Sequence, residues 1–62
     1  MFTAIELKDQ GNVLFNEGKF QEALQKYNEA TQADPKLAAA WFNKGTAHKK
    51  LNQLPEAVEA LN

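Results

Sequence analysis

At 62 residues the chain has room for one small domain, and a chain of this length buries only about 60% of the surface its unfolded form exposes. Seven lysines and no arginine face eight acidic residues, a balance unsuited to a nucleic-acid binder that gains affinity by neutralising phosphates. There is no cysteine, hence no disulfide or thiolate metal site, which fits a reducing, cytoplasmic setting. No apolar run approaches the ~20 residues that span a bilayer, and Met1-Phe2-Thr3-Ala4 lacks the basic region and apolar stretch of a secretory signal.

Thr3 and Glu6 have the spacing of a capping box, in which hydroxyl and carboxylate each take a backbone N–H left free at a helix start. Phe2 is placed to staple onto Leu7. The first helix is predicted from about Ala4 to Glu17, with Leu7, Gly11, Leu14 and Phe15 on one face. Gly11 costs roughly 1 kcal/mol against alanine in mid-helix. Close approach of a neighbouring helix to a position without a Cβ explains it.

Glu17-Gly18-Lys19 is the first turn, with Gly18 in the left-handed conformation that ends a helix. The second helix is predicted from Phe20 to Ala33, with the stripe Phe20, Ala23, Leu24, Tyr27 and Ala30. So short a turn sets the two helices antiparallel and adjacent. Asp34-Pro35 ends the second helix. A third follows from Lys36 or Leu37 to Leu51, carrying Leu37, Trp41, Gly45, His48 and Leu51. Asn52-Gln53 is expected as a second turn, with asparagine in place of glycine. Pro55 is expected to open a fourth helix, with Glu56 and Glu59 near its positive end. That helix is only about two turns long and has no C-cap, so the chain reads as a fragment of a longer array. The alternative is a miniature protein that completes its core by self-association.

The two hairpins are in phase. Leu7 returns as Trp41, Gly11 as Gly45, Phe20 as Leu54, Ala23 as Ala57, Leu24 as Val58 and Tyr27 as Leu61, each 34 residues on. A fixed period of this length signals stacked repeats. The chain resembles the tetratricopeptide repeat family in Leu7, Gly11, Phe20, Ala23, Tyr27, Ala30 and Pro35, and again in Trp41, Gly45, Leu54, Ala57 and Leu61. The resemblance implies an all-α solenoid fragment of tandem antiparallel helix–turn–helix units. It would be one domain over 1–62, with repeat one at about 4–37 and an incomplete repeat two at about 38–62. His48 stands where the family has a larger apolar residue or tyrosine.

Leu7-Lys8-Asp9-Gln10-Gly11-Asn12 further resembles the opening helix of the carboxylate-clamp subgroup of chaperone co-factors. By position, Lys8, Asn12 and Asn43 match a lysine and two asparagines that grip a terminal carboxylate in that subgroup. The remaining basic residues of such a clamp belong to a third repeat, which these residues do not include.

Lys8 and Asn12 are four apart and share one helix face, offer a cation and an amide, and suit a peptide carboxylate or extended backbone. They equally suit ordinary solvated surface. Side-by-side stacking of the first and third helices brings Asn43 near Asn12, where it either contacts a peptide or bonds between helices. Ala39, Thr46 and Lys50 would share the groove. Phe15 and Phe42 either line it or fill a seam between repeats, and Trp41 is expected to wedge between the third helix and its neighbours. His48 has no metal partner, and the chain contains no serine for it to activate. No carboxylate pair is framed for acid–base work. The sequence therefore reads as a non-catalytic protein-interaction module without metal or cofactor. It would bind an extended, acidic or C-terminal peptide on the inner helix face, with no nucleic-acid or membrane partner. The second reading is a structural module that self-associates through Ala57, Val58 and Leu61.

Overall fold

The capping box forms: the Thr3 hydroxyl accepts from the Glu6 amide at 3.2 Å, and the Glu6 carboxylate accepts from the Thr3 amide at 3.1 Å. It starts α1 (Ala4–Asn16). The computed structural model describes residues 2–61, with side chains through Asn52. Two more helices follow, α2 (Phe20–Ala33) and α3 (Ala38–Leu61). Gly18, at φ +80°, ends α1 as expected. Its amide donates to Phe15 at 3.0 Å and the Lys19 amide to Leu14 at 2.9 Å, the paired bonds of a Schellman motif. At the end of α2 the Asp34 carboxylate accepts from the Lys36 amide at 3.0 Å, folding the chain over Pro35.

The core lies where α2 meets both other helices. Leu7, Ala30 and Ala40 form one buried cluster, with Leu37 against it. Ala23, Tyr27 and Ala47 form the other, with Leu14, Phe15 and Leu24 packed on it. Ala23 and Ala30 on α2 and Ala40 and Ala47 on α3 are each 0% exposed. Alanines seven apart on both helices let the backbones close together, while Tyr27 fills the space between α1 and α2. A Cβ on Gly11 would lie 2.5 Å from the Tyr27 ring, so the close approach expected there is real. Phe15 and Phe20 meet edge to face at 5.0 Å near the turn. The fold is thus all-α, built as tandem helix–turn–helix-like units.

The second turn is a correction. Where Asn52-Gln53 was expected to reverse the chain and Pro55 to open a fourth helix, α3 runs unbroken for 24 residues. Lys49 to Leu54 contains no glycine, and no non-glycine residue among those described takes a positive φ. The helix runs on through Pro55, although an interior proline gives up a backbone hydrogen bond at a cost of ~3 kcal/mol. The side chains of Leu54, Ala57, Val58 and Leu61, expected in the core, lie outside the described residues.

This moves the buried face of α3. Trp41, expected as a wedge, is 47% exposed. Gly45 is exposed and, among the described residues, has nothing within 4 Å of a Cβ built on it. His48 is exposed as well. The packed positions are Ala40 and Ala47, one residue or ~100° around the helix. The reason follows from the period. Leu7, Gly11 and Leu14 are covered by the hairpin's own second helix; Trp41, Gly45 and His48 are their equivalents, and α3 does not turn back to cover them. Ala40 and Ala47 instead meet the preceding helix, α2. Pro35 is an exposed loop residue whose carbonyl accepts from the Trp41 indole at 2.8 Å.

Candidate functional site

Both α1 and α3 pack on α2, and this brings their inner edges together. Asn12 is one position past Gly11, so it sits beside the Tyr27 ring rather than beneath it. The Tyr27 hydroxyl donates to Asn12 Oδ1 at 2.6 Å. Asn43 Nδ2, on α3, donates to the same oxygen at 3.0 Å. One amide oxygen thus joins all three helices. Burial raises the Tyr27 pKa above its ordinary 10.0, which keeps the phenol protonated and donating.

Beside this junction lies an open hollow of about 100 Å³, lined by Asn12, Phe15, Tyr27, Phe42, Asn43 and Thr46. Three aromatic rings wall it and two amides edge it. The volume suits a small apolar side chain or a few waters, each needing about 30 Å³. With both donors on its oxygen, Asn12 keeps its NH2 as a donor, and among the described residues that group has no hydrogen-bond acceptor. Asn43 keeps its carbonyl and one N–H. The Thr46 hydroxyl donates to the Phe42 carbonyl at 3.0 Å.

Of the residues predicted to contact a peptide, Asn12, Asn43 and Thr46 come together at the hollow. Lys8 sits one turn before Asn12, its ammonium 3.4 Å from the Asp9 carboxylate. With Asp9 well exposed, that pair is weak and gives way readily to a better acceptor. Ala39 and Lys50 are exposed and do not line the hollow. Asn43 makes the inter-helix bond that was one of its two readings. Phe15 and Phe42 line the hollow, and Phe42 is 75% exposed. Sequence reasoning treated Tyr27 as core only. The signal for its second role was a tyrosine where the next repeat has Leu61: a buried hydroxyl needs a partner, and Asn12 stands next to the glycine that the ring covers.

Among the described residues no group of three or more His, Asp or Glu is gathered to hold a metal. Lys44 instead lies over the Trp41 ring, 4.9 Å from its centroid, on the outer side of α3. Among the described residues no helix is long and apolar enough to cross a membrane.

Comparison with known proteins agrees with this architecture. The chain is 36% identical over 56 residues to the Hsp70-Hsp90 organizing protein of Triticum aestivum, covering 90% of this chain and 10% of that protein. It is 38% identical over 56 residues to Hsp70-Hsp90 organizing protein 1 of Glycine max, with the same coverage. It is 39% identical over 56 residues to DnaJ homolog subfamily C member 7 of Mus musculus, covering 84% of this chain and 11% of that protein. The chain therefore spans about a tenth of the length of these curated relatives. No solved structure matches it at a significant level. The family model for the TPR repeat matches residues 11–52, more than half of the chain and the stretch that holds the Gly11–Tyr27 contact and the Asn12–Asn43 bond. By that match and its 34-residue period, the chain belongs to the TPR repeat family.

Proposed function

We propose that this chain is a non-catalytic protein-interaction module that takes an acidic or C-terminal peptide along the edge where α1 and α3 meet. One observation carries the reading: Asn12 Oδ1 is occupied by Tyr27 at 2.6 Å and Asn43 at 3.0 Å. Because the oxygen is used inside the fold, Asn12 has only its N–H donors left to offer. The Lys8 ammonium stands one turn away on the same helix. These donors, and a cation whose present partner is the exposed Asp9 carboxylate at 3.4 Å, favour a ligand rich in acceptors, and a carboxylate is the strongest of these. The Phe15 and Phe42 rings beside them accept an apolar side chain of the same peptide. Thr46, Ala39 and Lys50 extend the surface along α3, with Lys50 adding positive charge at its far end.

Two of the relatives carry the names of Hsp70 and Hsp90 organizers, which supports a protein partner of the chaperone class; a cytoplasmic setting is part of the proposal. Repeat one at 4–37 and repeat two at 38–62 form the single binding unit. Affinity from so short a groove is weak, since it buries little area.

The test is a titration of the chain with an acidic peptide bearing a free C-terminus and with its amidated twin, followed through the backbone amides of Lys8, Asn12 and Asn43. The free-carboxylate peptide should move all three, and the amidated one should move them less at equal concentration. Equal responses, or none, would remove the carboxylate reading.

A further inference from the structure

Charge is divided unevenly along this chain. Residues 1–35 carry six acids and three lysines; residues 36–52 carry four lysines and no acid. The ion pairs follow the same division. Lys8, Lys19 and Lys26 each meet a carboxylate, whereas Lys36, Lys44, Lys49 and Lys50 have no carboxylate partner among the described residues. The α3 segment thus holds unspent positive charge, and part of it borders an exposed strip. At ~100° per residue, Ala38, Trp41, Gly45, His48 and Asn52 fall within ~80° of one another, with Lys44 on one border and Lys49 on the other. All five strip residues are exposed. Asn43 and Thr46, which edge the hollow, lie ~100–160° around the helix from Gly45, so the strip is a separate surface. We propose that it docks an acidic amphipathic helix of a partner protein, whose apolar ridge lies over Trp41 and Gly45 and whose carboxylates meet Lys44 and Lys49.

The strip is built for such a contact. The Trp41 indole is 47% exposed, yet its N–H is held by the Pro35 carbonyl at 2.8 Å and Lys44 lies over the ring, 4.9 Å from its centroid. A large apolar ring already fixed in place loses little freedom on binding, and tryptophan is the residue type that most often anchors an interface. One turn further on, Gly45 has nothing within 4 Å of a Cβ among the described residues. In α1 the glycine Gly11 is where α2 comes in closest, through Tyr27; Gly45 offers the same kind of notch at the middle of the strip. From Ala38 to Asn52 the strip runs ~21 Å along a straight helix, the length of about four helical turns. Lysines on both borders select a helix with acids on both sides of its ridge, and they repel a second basic α3.

The probe is a ~18-residue amphipathic helix, acetylated and amidated, with leucine at every third or fourth position and glutamate on both borders of that stripe; its twin has lysine for each glutamate. Trp41 is the chain's single tryptophan, so its emission reports on the strip directly. The glutamate peptide should shift that emission to shorter wavelength, saturably, and less so at high salt. The lysine peptide should leave it unchanged. Lys49→Glu should weaken the glutamate peptide about two- to fivefold. Gly45→Gln has room for its side chain in the free protein and should weaken the peptide at least about fivefold by filling the notch. Both variants should keep the parent's helix content. Both should also leave the response of Lys8, Asn12 and Asn43 to a free-carboxylate peptide unaltered, so the two surfaces can fail separately. Equal shifts with the two helical peptides, or none, overturn the proposal. So does an indole that already emits as a buried one in the dilute free chain. A shift that appears on concentrating the chain alone also overturns it, being the result expected if a second copy occupies the strip.

Discussion

Replacing Gly11 by alanine should destabilise the domain, although alanine is the better helix former. Propensity alone would gain about 1 kcal/mol. Against this, the new Cβ would lie 2.5 Å from Tyr27 Cε1, 2.7 Å from Cδ1 and 3.1 Å from Cζ. The ring has little freedom to retreat, being 1% exposed with its hydroxyl held 2.6 Å from Asn12. Overpacking of this kind costs about 1–3 kcal/mol. Displacing the ring also loosens the Tyr27–Asn12 bond, at a further ~0.5–1.5 kcal/mol. The net loss is therefore about 0.5–3.5 kcal/mol, and in a domain of this size each kcal/mol lowers Tm by about 4–8 °C. Thermal melts followed by far-ultraviolet circular dichroism at low micromolar concentration would measure it. Gly45→Ala is the internal control, since nothing among the described residues lies within 4 Å of its Cβ; it should raise Tm by the propensity gain of up to ~1 kcal/mol. A Gly11→Ala variant that melts at or above the parent would refute the packing argument.

Other substitutions follow from the same contacts. Trp41→Ala should cost about 1 kcal/mol, from its bond to the Pro35 carbonyl and its contact with Lys44, and not the ~3–5 kcal/mol of a packed tryptophan; a loss above ~3 kcal/mol in chemical denaturation would show that the indole is buried after all. Tyr27→Phe should cost about 0.5–1.5 kcal/mol and abolish a pH dependence. Because burial raises the phenol's pKa in the folded state, its stabilisation is complete below the ordinary value of 10.0 and is lost as pH rises through the folded value. Melts on either side of that pH should show an extra loss in the parent that the phenylalanine variant lacks. Thr3→Ala should cost about 1 kcal/mol by opening the capping box, and amide exchange should speed most in the first turn of α1.

The candidate site was partly legible from residue spacing. Asn12 and Asn43 could be set near each other because the 34-residue period stacks α1 beside α3. That the two share one oxygen with Tyr27 could not, since those contacts join residues 15 and 31 apart and depend on how far α2 lets the outer helices approach. The alanine seam was readable in hindsight. Ala40 and Ala47 repeat the seven-residue spacing of Ala23 and Ala30, but Trp41 and Gly45 drew attention to the neighbouring face.

What the residues by themselves determined is what closes within a turn or two of backbone. Thr3 with Glu6 starts α1, Gly18 ends it, Asp34-Pro35 stops α2, and the repeat period names the architecture. Each of these rests on bonds or dihedral limits confined to a few neighbouring positions. Only the tertiary structure decided which side of α3 is buried, that one amide oxygen ties three helices together, and that Asn52-Gln53 continues a helix. A chain reverses at such a point only when some surface is there to receive it, and no property of the reversing residues can supply that surface.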